Sequence, residues 1–154
     1  MITTEYYGPS THPAENQAVG HFVCRTIWGR EGAVHDFCSM AVFDDSGLIA
    51  GMLYHNYYPD EGVVELTGAA RSKRWITRPV LRALFAMPFD ILGCQLLAMR
   101  VSSRNHNMLG IGRSFGFDEY IIPRLRGRHE DEHVFTLTDD QWRGHKVNSG
   151  IFAN

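Results

Sequence analysis

The sequence predicts an α/β fold: a largely antiparallel sheet with helices on its faces. Three observations carry that expectation. Strand-like and helix-like runs alternate in the order β-α-β-β-β-α-β-α-β-β. Two pairs of strand-like runs meet across polar turns, as hairpins do. The composition, 44% apolar, 21% charged and 12% aromatic, is that of a globular protein with a real core.

The elements follow in chain order. Residues 2–7 read as a short strand ended by Gly8-Pro9. Residues 16–28 hold Val19, Phe22, Val23 and Ile27 near helical spacing, and Gly29 and Gly32 open a turn. Residues 34–43 and 48–58 are β-rich and join across Asp44-Asp45-Ser46-Gly47. A further turn, Pro59-Asp60-Glu61-Gly62, leads to a third strand over residues 63–67. Residues 79–87 put Val80, Leu81, Leu84 and Phe85 on one helical face, with Pro79 tolerated at the helix start. Pro88 interrupts or restarts that helix and Gly93 closes it. Residues 95–101 form an apolar strand expected to be buried on both faces. Residues 105–115 read as a helix ended by Gly116, and residues 117–125 and 133–138 as strands around a polar turn, 126–132.

At 154 residues without repeats or linkers, the chain is expected to fold as a single domain over 1–154. No apolar run approaches the roughly 20 residues of a membrane span, so no membrane partner is expected. The first residues lack the basic and apolar regions of a secretory signal. Cys24, Cys38 and Cys94 form no Cys-x-x-Cys pair, so a reduced, cytoplasmic protein is expected.

The formal net charge of −2 conceals a segregation. Residues 1–65 carry nine acids and two bases, whereas residues 66–117 carry eight bases and only Asp90 as an acid. A middle third almost free of carboxylates points to an anionic ligand there. Its basic stretch, Arg71-Ser72-Lys73-Arg74-Trp75-Ile76-Thr77-Arg78, lies between a strand and a helix start. First-turn N–H groups have no intrahelical partner and the helix dipole adds positive potential, a geometry suited to phosphate. A solvated basic loop is the alternative. Nucleic acid is not the expected partner, because a pI near 6.4 is far from the basic footprint such binding needs.

The spacing from Arg74 onward resembles a family. Arg74-Trp75-Ile76-Thr77, Phe89, Leu92-Gly93, the 95–101 strand, Asn105, Met108 and Gly116-Phe117 fall in the register of the GNAT acetyltransferases. They are most similar to the branch that acetylates ribosomal-protein N-termini. Gly127-Arg128, Asp131, the 133–137 strand and Asp140-Gln141-Trp142 extend the resemblance, which runs from about Val34 to Trp142.

The resemblance implies a mixed sheet of six to seven strands with helices on both faces, whose fourth and fifth strands splay apart. Acetyl-coenzyme A would enter the gap. Its pantetheine arm would pair with backbone near Leu66, Thr67, Gly68 and Ala69, and its diphosphate would rest on N–H groups of Arg74–Arg78, flanked by Arg71 and Lys73. Asn105 matches the asparagine that hydrogen-bonds the cofactor arm. A helix N-cap is its other reading, and both roles are compatible.

The implied activity is acetyl transfer in a ternary complex to a primary amine, either a protein N-terminus or a small molecule. Glu65 on the fourth strand is the candidate general base; an ordinary strand carboxylate is the alternative. His35, Asp36, His55 and Tyr57 are further candidates, and Tyr6, Tyr7 and Trp28 candidate acceptor-pocket aromatics. Asp36, Asp44, Asp45, Asp60, Glu61 and Glu65 would border an acceptor face attractive to a cation. Two departures stand out: Trp75 and Thr77 replace a glycine and a small residue in the phosphate loop, and Gly112 stands where many relatives carry a tyrosine acid. The leaving thiolate would then be protonated by water, Ser114 or Tyr120. The competing reading is a GNAT-fold protein that binds coenzyme A or a protein partner without turnover. Oligomeric state stays open, a homodimer included.

Overall fold

The computed structural model describes residues 1–149. Seven strands form one sheet: β1 (Thr3–Tyr7), β2 (Cys38–Asp44), β3 (Gly47–Tyr58), β4 (Val63–Ala70), β5 (Leu96–Ser102), β6 (Asp118–Ile122) and β7 (Glu132–Thr138). Their spatial order is β1-β2-β3-β4-β5-β7-β6. Every neighbouring pair is antiparallel except β4 with β5, which pair in parallel. A parallel pair needs a crossover, and helix α2 (Arg78–Ala86) with the turn behind it supplies one.

Helices cover both faces. On one face α1 (Pro13–Trp28) packs Val19, Val23 and Cys24 against Ala41 and Leu53. Gly20 and Gly51 let α1 come close, because side chains there would run into Phe37 and into Val19, Val23 and Phe22. On the other face α2, α3 (His106–Phe115) and α4 (Asp139–Arg143) cover the larger core of Met40, Leu66, Phe85, Met99, Phe135 and Trp142. Tyr6 and Tyr54 tie α2 down: their hydroxyls donate to Ala83 O and Leu84 O, the latter at 2.7 Å. The mixed, mostly antiparallel sheet with helices on both faces is the architecture expected.

Local differences have local causes. Strand β2 starts at Cys38 instead of residue 34, because Asp36 takes φ +50° while Val34 is buried with α1. Pro88 does not break the helix. It sits inside a π-type turn, Met87–Ile91, in which Leu92 N donates to Met87 O at 2.9 Å, so the missing proline N–H is absorbed by wider spacing. Strand β6 stops at Ile122, before Pro123 and Arg124 at φ +66°. Strand β5 is buried on one face only, through Leu97, Met99 and Val101; Arg100 on the other face is exposed. All three cysteines are free thiols, and no helix among the described residues is long and apolar enough to cross a membrane. Residues 150–154 of the expected single domain lie outside the described residues.

Candidate active site

Strands β4 and β5 pair only from Val63 with Leu96 to Leu66 with Met99. Beyond that point β4 keeps its β3 partners as far as Ala70, and β5 keeps β7 to Ser102. The two strands therefore diverge with their outer neighbours intact, and the β5-facing edge of β4 from Thr67 onward has no strand partner. A cleft opens there in two connected halves, of about 950 Å³ and about 1010 Å³, which share Ile27, Trp28, Gly68, Met99, Ser102, Asn105, Met108, Arg126 and Glu130.

The first half lies toward α2 and α3. Of the residues expected to hold a cofactor, Leu66, Gly68, Arg71, Lys73, Trp75 and Asn105 line it, together with Ala69 and Ala70. Thr67 points into the other half, as strand alternation requires. Arg74, Ile76, Thr77 and Arg78 line neither half. Their backbone explains why. Lys73–Trp75 closes into a 3-10 turn capped by Ser72, whose hydroxyl accepts from Arg74 N at 3.2 Å. Ile76 N donates to Lys73 O at 3.1 Å and Thr77 N to Trp75 O at 2.9 Å. The N–H groups at 74, 76 and 77 expected to cradle a diphosphate are thus engaged within the turn. Trp75 is only 5% exposed, with its ring in the core. Thr77 caps α2 by accepting from Val80 N.

The basic block is also partly committed elsewhere. Arg74 pairs with Asp44 of the β2–β3 hairpin at 2.8 Å, and Arg71 donates to Leu48 O and lies over the Phe22 ring. Arg78 donates to Val147 O at 3.0 Å and Ser149 O at 2.8 Å, anchoring the C-terminal turn. Lys73 makes no ion pair among the described residues. Arg104 joins it on the cleft wall, paired with Glu130 at 3.1 Å. Asn105 caps α3 by accepting from Met108 N at 3.2 Å, and it lines both halves of the cleft. Ser114 is exposed on α3 and Tyr120 on β6, and neither lines the cleft. Gly112 is buried against Phe135.

The second half opens on the sheet face that α1 covers only in part. His55 stands opposite Glu65 in the β3–β4 register. Its Nε2 is 2.8 Å from Thr67 Oγ1 and 3.7 Å from Glu65 Oε2, while Asn56 Nδ2 donates to Glu65 Oε1 at 3.3 Å. Burial lowers the His55 pKa below its usual 6.5; Glu65 opposes that shift and Arg100 reinforces it. A neutral imidazole beside a carboxylate is a group that can take up a proton. Of the acidic residues expected on this face, Asp36 and Glu65 line the cleft. Asp44 and Asp45 do not: the first pairs with Arg74, the second with the N-terminal amine. Trp28 lines both halves, whereas Tyr6 and Tyr7 line neither.

Sequence reasoning missed Arg100, Arg126 and Glu132, which also line this half. The signal was one charged residue inside an otherwise apolar strand, at the same parity as Ala98, the partner of Glu65.

No protein-family model and no curated protein matches the chain. Solved structures do. A mutant form of the spermidine/spermine N-acetyltransferase SpeG from Vibrio cholerae is 14% identical, with a TM-score of 0.66 over 93% of this chain and 96% of that one. A GCN5-related N-acetyltransferase from Brucella melitensis is 19% identical, with a TM-score of 0.61 over 92% and 77%. A SpeG chimera involving the Vibrio cholerae enzyme is 13% identical, with a TM-score of 0.68 over 92% and 98%. At these identities the likeness is one of backbone architecture, and in that architecture the chain has the fold of the GNAT acetyltransferases.

Proposed function

We propose that the chain is an acetyl-coenzyme A-dependent N-acetyltransferase acting on a primary amine in a ternary complex. The observation that carries this reading is the β4 edge left without a strand partner from Thr67 to Ala70, where the two halves of the cleft meet. Unpaired backbone groups at the end of a strand suit a ligand that itself carries amides. The apolar wall of Leu66, Met99 and Met108 suits its aliphatic links. When bound, acetyl-coenzyme A supplies an acetyl group activated as a thioester.

The chain's own residues would do the rest. The Gly68–Ala70 edge and the Asn105 amide hold the cofactor arm. Lys73 and Arg104 face the phosphate charges with side chains, taking over from the turn N–H groups that are internally bonded. Glu65 and the neutral His55 receive the ammonium and remove its proton, since only the free amine is a nucleophile. The structural neighbours named for spermidine act on an amine; for this chain the acceptor is a small amine or a protein N-terminus, the latter by the motif resemblance to the ribosomal-protein branch.

Calorimetry with acetyl-coenzyme A, competed by coenzyme A, together with thiol release across amines and peptides, tests the reading. Micromolar binding with amine-dependent thiol release is the expected result, and no binding at millimolar cofactor overturns it. Two observations favour a second reading, binding without turnover: the closed Lys73–Trp75 turn and the Gly112–Phe135 contact that leaves no room for a tyrosine acid. Tight binding with no thiol release from any amine would select it.

A further inference from the structure

Glu132 is 0% exposed, yet it holds two guanidinium groups. Arg100 reaches Oε2 through Nε at 3.2 Å and Nη2 at 2.8 Å, and Arg126 reaches Oε1 through Nε at 2.7 Å. One carboxylate thus fixes two cations and leaves one positive charge over. Arg100 Nη1 and both terminal nitrogens of Arg126 donate to no protein group among the described residues. The two side chains are 44% and 20% exposed; both line the half of the cleft that holds Glu65 and His55, and Arg126 borders the other half as well.

The strand register places these groups on one sheet face. His55 is opposite Glu65, Glu65 is level with Ala98, Arg100 is two residues further along β5, and Glu132 lies diagonally across from it on β7. That face therefore carries a proton-accepting pair at one end and a surplus of fixed guanidinium donors at the other. The two arginines satisfy one oxygen each of the buried carboxylate and still keep N–H donors that it does not use. The pair supplies charge and planar N–H donors to whatever enters, and guanidinium groups held in position match a carboxylate with little further ordering.

We propose that the acceptor is an amino-carboxylate, a small molecule with a primary amine and a nearby carboxylate. Arg100 and Arg126 bind its carboxylate while Glu65 and His55 take its ammonium. This rests on the acetyl-transfer reading for the amine and adds the anionic group. A polyamine gains nothing from the arginines and brings its extra cations against them, which sets its rejection.

The test uses the full chain with acetyl-coenzyme A present. L-amino acids, their carboxamides and spermidine are compared by calorimetry and by thiol release. The carboxamides keep the amine and lose only the anion. The acids should exceed their carboxamides on the order of 100-fold in affinity or kcat/KM. Arg126→Gln should collapse that ratio toward one. Arg100→Lys, which keeps a charge on Glu132 but loses the fork, should lower it in the same direction. If either variant fails to fold, the acid-to-amide ratio of the unaltered chain decides. Carboxamides or spermidine handled as well as the acids, or acids that do not bind at all, overturn the proposal. Thiol release without preference for acids overturns it and leaves acetyl transfer standing. Acids that bind in preference to their carboxamides without thiol release overturn acetyl transfer, and with it the acceptor assignment, and leave only a carboxylate-binding site.

Discussion

A β-carbon built on Gly112 would stand 2.9 Å from Cε1 of Phe135, so α3 rests on β7 at a separation that only glycine allows. Phe135 is fully buried and cannot swing aside. Gly112→Ala should therefore destabilise the fold. Overpacking of a tight core contact costs about 1–3 kcal/mol, against a helix-propensity gain of at most about 1 kcal/mol. A lowered denaturation midpoint with unchanged m-value is expected. Pairing it with Phe135→Leu should recover part of the loss, a coupling that a double-mutant cycle would read.

Acid stability should depend on Glu119. Its carboxylate accepts two bonds from Arg113 at 2.9 Å and meets His133 Nδ1 at 2.6 Å. The Arg113 hydrogen bonds, then that of His133, hold its pKa at about 2, below the usual 4.5. The unfolded chain thus takes the proton first. The stabilisation is complete above pH 4.5 and lost as pH falls toward 2. Glu119→Gln should flatten the slope of melting temperature against pH in that window.

Activity should require Glu65 more than binding does. Glu65→Gln should lower kcat by roughly 10²–10⁴-fold if the carboxylate removes the amine's proton, with cofactor affinity unchanged. Unaltered kcat would remove Glu65 from the chemistry. Because burial keeps His55 neutral down to a pH below 6.5, the acid limb of kcat/KM should lie below that value.

Cofactor binding should separate Lys73 from Arg74. Lys73 faces the cleft; Arg74 is turned to Asp44. Lys73→Ala should weaken acetyl-coenzyme A by roughly tenfold, the effect of one charge-assisted contact. Arg74→Ala should change it by less than about twofold, since it removes only an exposed ion pair. The reverse ranking in calorimetry would place the diphosphate on the turn instead.

The sequence alone determined the order of the seven strands and first three helices, the strand-turn-strand hairpins, the core faces of α1 and α2, and the cap at Asn105. Those depend on side-chain periodicity and short-range hydrogen bonds, which neighbouring residues dictate. It also pointed to a basic segment beside a strand end. Only the tertiary structure decided what that segment does: Arg71, Arg74 and Arg78 go to partners at positions 48, 44 and 147–149, distances along the chain that no local pattern encodes. The same holds for the acidic first block, of which Asp36 and Glu65 reach the cleft while Asp44 and Asp45 are spent on the hairpin side. Strand β5 read as buried on both faces because its side chains are mostly apolar. Its second face instead borders the cleft, because β4 leaves it after Leu66, and Arg100 and Arg126 both meet Glu132 there. Pairing between strands sets which charges meet, and that is fixed by the packing of the whole sheet.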